Sequence, residues 1–366
     1  METIAFARGV PAPEMLPVDE LRDAASAAFD QDPVRVLSYG TGAGWEPLRE
    51  ELARRHDVDP SRVVVTTGSL QGFSLLAQVL VRRAAAEGRR ARVIVEQPTY
   101  DRPLLLLQRL GVEIVPVPLD ADGVDVAAFE RALADGADLA YLIPTYQNPA
   151  GSTLTQERRE AVLASAARHD VLVLEDDPYG LLHFEQPAPS TLFAQRGDAP
   201  VAFSGSFSKT IAPGLRVGWL VLPTELAAEV ATLGNDTYIS ASFLGQATVH
   251  HYLSSGHFEP NVERARGLLR ERRDRIVDAL REHLPEARFS VPQGGYFIWV
   301  ALPGGLDAAT VARSAGEHGV SFVAGSSFGG GCDEYARLAF SSPPLEQVET
   351  GVRRLADACD AVLAVR

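Results

Sequence analysis

Up to residue 222, short apolar runs alternate with longer amphipathic stretches. The apolar runs predict seven strands, over residues 63–67, 93–95, 112–117, 139–143, 171–174, 201–203 and 217–222. The stretches between them repeat apolar positions at helical spacing, and they predict helices over 47–55, 103–110, 124–133 and 156–168, with a further helix that opens from the turn 68–72 and runs to about residue 86. Apolar strands that alternate with helices indicate a mostly parallel sheet covered on both faces.

The pattern changes after Pro223. Helical spacing predicts one helix over 244–253 and a long one over 258–284, which is rich in Arg and Glu. The remaining chain mixes strand-like runs, at 287–291, 296–301, 320–323 and 336–340, with helices over 308–317 and 345–363. These elements predict a small α+β unit.

Three parts are therefore expected. Residues 1–38 hold one helical pattern, 18–29, among many Gly and Pro residues, and they are too short for a core of their own. We expect them to pack with the small unit. Residues 39–255 would form the large unit, and residues 256–366 would form the C-terminal unit together with the long connecting helix.

Composition narrows the classes of function. The chain of 366 residues is 46% hydrophobic, which suits a large core, and its net charge of -14 disfavours binding to nucleic acid or anionic membranes. No apolar run approaches the roughly 20 residues of a membrane helix, and residues 1–8 do not resemble a signal peptide. Cys332, Cys359 and the histidines show no metal-ligand spacing. We expect a cytoplasmic protein with no metal site.

One polar loop lies between the sixth and seventh predicted strands. It holds Ser206, Ser208, Lys209 and Arg216. Burial lowers the pKa of a lysine and makes its amine nucleophilic towards carbonyls, while hydroxyls and an arginine suit a phosphate. Pyridoxal phosphate, an aldehyde that carries a phosphate, meets both needs. The alternative is a solvated turn with a surface lysine.

Polar residues also follow other predicted strands, at the edge where parallel sheets bind ligands. Gly68, Ser69 and Leu70 open a helix whose N–H groups suit a phosphate, or they form a plain turn. Tyr100 can stack on an aromatic ring or pack at the surface. Asn148 can donate to a phenolate oxygen or serve in a turn.

An acidic run follows the fifth predicted strand. Asp176 can pair with a pyridinium N–H, although Glu175 and Asp177 compete for that role. Tyr179 can reach the phenolate oxygen of the same ring. Arg337, on a strand with alternating character, suits a bidentate grip on a carboxylate or a surface ion pair.

The ordered set of motifs resembles the class I and II pyridoxal phosphate-dependent aminotransferases of fold type I. The motifs are Tyr39, Gly68-Ser69, Tyr100, Pro144–Pro149, Asp176–Tyr179, Ser206–Lys209, Arg216 and Arg337. The closest subgroup looks like 2-aminoadipate and kynurenine aminotransferases, with the related effector domains of MocR-type regulators. The resemblance implies an α/β fold with a large domain, built on a mostly parallel seven-stranded sheet, and a small α+β domain.

The same resemblance implies roles for the cofactor-binding residues. Lys209 would bond the aldehyde carbon of pyridoxal phosphate and act as general base, and Asp176 would pair with the pyridine nitrogen. Asn148 and Tyr179 would hold the phenolate oxygen, and Tyr100 would stack on the ring. The phosphate would be bound by Ser69, the Leu70 N–H beside Gly68, Ser206, Ser208 and Arg216. Tyr39 would reach the phosphate of the partner subunit, which implies a homodimer with shared active sites.

The residues expected to bind the substrate show two departures from the family. The resemblance implies that Arg337 and Asn148 bind the substrate and that Gly9 lines its pocket. Arg8 stands where a small residue is usual, and it is either a ligand of the substrate's far end or directed to solvent. Family members usually carry a further helical segment before this stretch, and this chain starts almost at Phe6, so part of what recognises the substrate side chain is expected to be absent or replaced.

The resulting prediction is an aminotransferase that acts on an α-amino acid and a 2-oxo acid. A first alternative is another pyridoxal phosphate reaction, such as β-elimination, decarboxylation or oxidation. A second is the effector domain of a regulator. The net charge of -14 and the lack of room for a DNA-binding segment before Ile4 disfavour that second alternative.

Overall fold

The computed structural model describes residues 3–365. In chain order, its first elements are β1 (Ile4–Ala5), α1 (Val18–Gln31), α2 (Pro33–Leu37), α3 (Glu46–His56), β2 (Val63–Thr66), α4 (Ser69–Ala86), β3 (Arg92–Gln97), α5 (Asp101–Arg109), β4 (Glu113–Asp120), β5 (Gly123–Val124), α6 (Val126–Ala134) and β6 (Leu139–Leu142). The next are α7 (Gln156–His169), β7 (Val173–Asp176), α8 (Leu192–Gln195), β8 (Val201–Ser206), β9 (Gly218–Val221), α9 (Thr224–Tyr238), α10 (Phe243–Ser254) and α11 (Phe258–His283).

The C-terminal elements are short strands and two helices. They are β10 (Arg288–Phe289), β11 (Phe297–Ala301), α12 (Ala308–Glu317), β12 (Val320–Ser321), β13 (Val323–Ala324), β14 (Tyr335–Ala339) and α13 (Val348–Leu363). Single 3₁₀ turns occur at Pro13–Met15, Pro60–Arg62, Pro213–Leu215, Pro303–Gly305, Gly325–Phe328 and Leu345–Gln347.

The large sheet has the strand order β2-β9-β8-β7-β6-β3-β4-β5. Strands β8, β7, β6, β3 and β4 pair in parallel, whereas β9 runs antiparallel to both of its neighbours. The seven predicted strands are all present. An eighth strand, the two-residue β5, pairs antiparallel with β4 at the edge of the sheet and was too short to show in the apolar pattern.

Both faces of this sheet are buried. Val64, Val93 and Leu174 belong to one apolar cluster, and their chain neighbours Val63, Ile94 and Val173 belong to the cluster on the other face. Successive side chains of a strand point to opposite faces, so a strand that is apolar throughout needs two layers of helices. The sheet therefore leaves only its strand ends open for a ligand site.

The C-terminal unit has its own core and a four-stranded antiparallel sheet, in the order β10-β11-β14-β13. Helix α11 links the two units. Its first residues, Phe258 and Val262, pack in the core of the large unit, and Leu269 and Ile276 pack in that of the C-terminal unit.

The N-terminal segment divides between the two units, which differs from the expectation that it packs as a whole with the small one. Strand β1 pairs in parallel with β12, and Phe6 and Met15 join the C-terminal core. Helix α1, however, packs against α10, and its Ala24 and Ala28 join the core of the large unit. Small residues let the two helices approach closely. Residues 1, 2 and 366, at the ends of the predicted parts, lie outside the described residues.

Three helices, α2, α8 and α9, were missed by the sequence analysis. Helix α9 buries Leu226, Val230 and Leu233, which lie on one face at helical spacing.

At the edge of the sheet opposite the strand ends, Gly88 and Gly136 lie in the turns before β3 and β6, and open space surrounds the position of a side chain at each. Within residues 3–365, no helix is long and apolar enough to cross a membrane.

Candidate active site

A cavity of about 600 Å³ lies between the strand ends of the large sheet and the C-terminal unit. The predicted site residues that line it are Arg8, Gly9, Ser69, Leu70, Tyr100, Asn148, Asp176, Tyr179, Ser206, Ser208, Lys209, Arg216 and Arg337. Two others lie outside its wall. Gly68 lies directly before Ser69 in the chain, and Tyr39 is 84% exposed. Residues from distant parts of the chain thus meet at one place.

Lys209 reaches the cavity from the loop that follows β8. Its Nζ donates to the carbonyl oxygen of Gly9 at 2.5 Å, and the Tyr296 hydroxyl donates to the backbone carbonyl of Lys209 at 2.8 Å. Burial, assisted by the charges of Arg337 and Arg216, lowers the pKa of the Lys209 ammonium to about 8. An appreciable fraction of this amine is therefore neutral near pH 7, as a nucleophile or a general base requires.

Asp176, at the end of β7, presents its carboxylate to the cavity. The Tyr141 hydroxyl donates to Oδ2 at 2.7 Å, and the Ser204 hydroxyl donates to Oδ1 at 2.9 Å. Burial raises the pKa of Asp176 to about 6, against the opposing effect of these two hydrogen bonds. The carboxylate is held in place and would gain from a cationic partner in the cavity.

The two competing acidic residues have partners elsewhere. Glu175 accepts hydrogen bonds from the N–H groups of Leu192 and Phe193, and its Oε1 lies 3.6 Å from Nη1 of the buried Arg159. Asp177 accepts from the N–H of Gly180 at 2.7 Å. Neither residue lines the cavity, so the structure singles out Asp176 as the carboxylate that a ligand there would meet.

Arg337, on β14, lies on the side of the cavity formed by the C-terminal unit. Its Nη1 donates to Oδ1 of Asn148 at 2.9 Å, and its Nη2 donates to the carbonyl oxygen of Ala7 at 3.0 Å. The rings of Phe297 and Phe328 lie 4.2 and 4.8 Å from its Cζ. Both polar contacts are with neutral oxygens, so a carboxylate would be a stronger partner for this desolvated guanidinium.

Three further residues line the cavity with groups that can donate or stack. Because Oδ1 of Asn148 accepts from Arg337, the amide nitrogen of Asn148 is the atom left to donate. Burial raises the pKa of Tyr179 well above its ordinary value and that of Tyr100 to about 12. Both phenols therefore stay protonated and can donate hydrogen bonds.

Hydroxyl and guanidinium groups gather where α4 begins. The Ser206 hydroxyl donates to Oγ of Ser208 at 2.9 Å, and Nη1 of Arg216 lies 3.4 Å from that same Oγ. Ser69 and Leu70 are the first two residues of α4, so their N–H groups have no partner within the helix. This set of donors, at the positive end of a helix dipole, suits an anion.

Comparisons with known proteins place the chain in a family. The profile of the family "Aminotransferase class I and II" matches residues 7–355. The protein belongs to the class I and II aminotransferases.

Three relatives illustrate the range of this family. The 2-aminoadipate transaminase of Thermus thermophilus is 33% identical, over 99% of this chain and 91% of its own.

The second relative is a solved structure, that of the Pyrococcus horikoshii kynurenine aminotransferase in complex with PMP. It superposes with a TM-score of 0.93 at 30% identity, over 99% of this chain and 92% of its own. The third, the uncharacterized HTH-type transcriptional regulator YisV of Bacillus subtilis, is 29% identical, over 97% of this chain and 73% of its own. The aminotransferase described here is accordingly an enzyme that uses pyridoxal phosphate and transfers an amino group between an α-amino acid and a 2-oxo acid.

The cavity of this aminotransferase fits pyridoxal phosphate. A phosphate needs the donors grouped around Ser206 and Arg216, and a pyridine nitrogen needs the buried Asp176 carboxylate. The turn at Gly68 supports the same fit: with φ of +82°, it lies so close to the guanidinium of Arg216 that a Cβ would stand 2.3 Å from Nη2. Because Gly68 has no side chain, the guanidinium of Arg216 can lie next to the other phosphate-binding groups. Gly68 therefore contributes to the site although it does not line the cavity.

The sequence analysis missed residues that hold this site together. Tyr141 and Ser204 bind the Asp176 carboxylate, and Tyr296 binds the backbone of Lys209. Phe297 and Phe328 flank Arg337. Tyr141 and Ser204 did carry a signal, since a hydroxyl within or beside an apolar strand must find a buried partner. The aromatic residues carried none, because their spacing is also that of an ordinary core.

Proposed function

We propose that transamination takes place in the cavity around Lys209, with the roles expected from the sequence. The observation that carries this proposal is the presence, in one cavity, of a lysine whose pKa is lowered and an arginine with only neutral partners. A reactive amine requires a lowered pKa, and an α-carboxylate requires a cation that no other carboxylate already binds.

Bound pyridoxal phosphate supplies a ring that withdraws electrons from the α-carbon of the substrate and so lets its proton leave. Ser69, the Leu70 N–H, Ser206, Ser208 and Arg216 hold the phosphate. Asp176, fixed by its two hydroxyl partners, keeps a proton on the ring nitrogen. This arrangement sustains the electron demand of the ring through the reaction.

The substrate is handled by other residues. Arg337 gives up its contacts with Asn148 and Ala7 and binds the α-carboxylate, which orients the α-carbon. The neutral amine of Lys209 would accept the proton that leaves this carbon and would deliver it to the former aldehyde carbon of the cofactor, the shift that transfer of the amino group requires. Asn148 and Tyr179 donate hydrogen bonds to the phenolate oxygen, and Tyr100 covers the ring.

A half-reaction screen tests the proposed chemistry. The protein loaded with pyridoxal phosphate is mixed with each common amino acid while the cofactor's absorbance band is followed. We expect at least one amino acid to discharge the band and to yield one equivalent of its 2-oxo acid. Release of ammonia or carbon dioxide instead would indicate β-elimination or decarboxylation, and no discharge with any donor would favour a regulator-type effector domain.

We also propose that the protein is a homodimer in which Tyr39 completes the partner's active site. Val34, Leu37 and Tyr39 are 76, 68 and 84% exposed, and the N–H of Gly40 donates to the hydroxyl of Ser240, beside the exposed Ile239. This gathers large apolar side chains into one exposed patch, which is typical of an interface. A symmetric pair would cover the patch on both copies at once.

Sedimentation velocity tests the dimer. We expect wild-type protein to sediment at twice its monomer mass of 39.3 kDa, and Leu37→Asp to shift it to the monomer. The reason is that a buried, unpaired carboxylate costs several kcal/mol. The monomeric variant should also bind pyridoxal phosphate more weakly, because it lacks the partner's Tyr39. Leu105→Asp, at a 39% exposed leucine elsewhere, is the control and should remain dimeric. A wild-type monomer with full activity would contradict the proposal.

A further inference from the structure

The segment that carries Arg8 is fixed along one wall of the cavity. On one side of Arg8, the carbonyl oxygen of Ala7 accepts from Arg337 at 3.0 Å. On its other side, the carbonyl oxygen of Gly9 accepts from Lys209 at 2.5 Å. Gly9 also lies against Phe297, so closely that a Cβ at this position would stand 2.3 Å from the ring. The backbone on both sides of Arg8 is therefore held next to the residues proposed to react with the substrate.

Cationic side chains outnumber carboxylates in the lining of the cavity. The cationic side chains are Arg8, Arg102, Lys209, Arg216 and Arg337, and the carboxylates are Asp101 and Asp176. This excess of cations contrasts with the net charge of -14 of the whole chain. A lining of one sign that differs from the rest of the protein concentrates ligands of the opposite sign.

Each of these charges except one has a partner once the proposed function is granted. Arg216 faces the phosphate, Lys209 the aldehyde carbon of the cofactor, Arg337 the α-carboxylate and Asp176 the ring nitrogen. Arg102 has Asp101, whose Oδ2 lies 3.5 Å from its Nε. Arg8 is exposed, lines the cavity, and has no carboxylate within ion-pair distance among residues 3–365.

We propose that Arg8 binds the distal carboxylate of an acidic substrate, so that the enzyme prefers dicarboxylic amino acids and 2-oxo acids of the size of glutamate and 2-oxoglutarate. The proposal rests on the proposed function, since it assumes that Arg337 holds the α-carboxylate. A dicarboxylate then bridges the two arginines, one on the wall formed by β14 and the other on the wall formed by the N-terminal segment. The planar guanidinium of Arg8 can bind the carboxylate through two hydrogen bonds.

Half-reactions of the holoenzyme with glutamate and with leucine test this assignment. We expect Arg8→Gln to lower the glutamate-to-leucine ratio of kcat/KM about 10- to 100-fold, the range that a charge-assisted hydrogen bond supplies. Arg8→Lys, which keeps the charge but loses the fork of donors, should restore part of the ratio. The expected effect lies in KM for glutamate, because the distal carboxylate is bound equally before and during the reaction.

Two matched variants serve as controls. Arg102→Gln removes the neighbouring cation of the cavity, which already has Asp101 as its partner, and it should change the ratio less than about 3-fold. Arg22→Gln removes an arginine that is 68% exposed and paired with Asp19 outside the cavity, and it should leave the ratio unchanged. A loss of the ratio in Arg102→Gln but not in Arg8→Gln would overturn the assignment to Arg8.

Binding without turnover gives a second readout. Glutarate has two carboxylates and no amino or keto group, and valerate is the matched acid with one carboxylate. By calorimetric titration of the holoenzyme, we expect glutarate to bind more tightly than valerate, and Arg8→Gln to bring the two close together. Equal affinities in the wild-type protein, or an unchanged difference in Arg8→Gln, would overturn the proposal.

The outcomes separate this inference from the proposed function. If no amino acid in the half-reaction screen discharges the cofactor band, transamination in this cavity is wrong, whereas discharge by other donors but not by glutamate would overturn only the preference for acidic substrates. If both react and Arg8→Gln leaves the glutamate-to-leucine ratio unchanged, transamination stands and Arg8 does not bind the distal carboxylate.

Discussion

Replacing Lys209 with alanine should lower the rate of amino-group transfer by at least about 10⁴-fold, because one change removes both the nucleophile and the general base. The measurement is single-turnover conversion of the best amino donor found in the half-reaction screen. Circular dichroism and the unfolding temperature of the variant should stay close to those of the wild-type protein, since truncation also removes a buried ammonium.

Lys209→Arg is the matched control for this prediction. It keeps a long cationic side chain, but a guanidinium does not lose its proton in proteins and cannot serve as an amine. We expect it to be as inactive as Lys209→Ala. Normal transamination in either variant would exclude Lys209 as the reactive amine.

The lowered pKa of Lys209 gives the wild-type protein a characteristic pH dependence. Only the neutral amine attacks a carbonyl, so the rate at which the cofactor-free protein captures pyridoxal phosphate should rise with pH, with a midpoint near pH 8, and level off at higher pH. Stopped-flow absorbance at constant ionic strength measures this rate. A midpoint near 10.5, the ordinary value for lysine, would mean that burial does not activate this amine.

Replacing Asp176 with asparagine should lower kcat by about 10²- to 10³-fold while the fold is kept. The amide oxygen can still accept one of the two hydrogen bonds from Tyr141 and Ser204, and the amide nitrogen can donate to the oxygen of the other hydroxyl, but the group carries no charge to hold a proton on the ring nitrogen. Because this interaction matters most as charge develops in the ring, the loss should appear in kcat more than in KM.

The neighbouring carboxylate provides the comparison. Asp177 is half-buried, accepts from the N–H of Gly180 and does not line the cavity. Asp177→Asn keeps an acceptor for that N–H, and we expect its kcat to stay within about 10-fold of the wild-type value. Equal losses of kcat in the two variants would mean that Asp176 is not distinguished from Asp177 as the partner of the ring nitrogen.

The fold was largely predictable because the strands of the large sheet are buried on both faces. A run such as Val63 to Val65 is apolar throughout, and such runs alternate with helices at regular intervals. Packing between distant helices was not predictable from this pattern. Ala24 and Ala28 of α1 are small and weakly hydrophobic, so nothing local indicates that they pack in the core of the large unit.

For the site, too, the residues that follow predicted strands could be found from the sequence, whereas contacts between distant parts of the chain could not. The strand ends gave the residues that line the cavity, because parallel strands bring their carboxyl ends to one edge. The partners of Arg337 could not be found in this way. Asn148 and Ala7 are separated from it by 189 and 330 residues, and only the folded chain brings their oxygens to its guanidinium. The choice among Glu175, Asp176 and Asp177 likewise depended on which way each side chain points.

The open turns at Gly88 and Gly136 have a practical consequence. They lie at the edge of the sheet opposite the cavity, and no atom stands within 4 Å of a Cβ built at either glycine. Exposed turns of this kind are the places where a chain best tolerates added sequence. A tag, a fluorophore or a tether to a solid support attached beside these glycines, which keep their positive φ, would leave the mouth of the cavity facing the solution, which suits the protein to use as an immobilised biocatalyst.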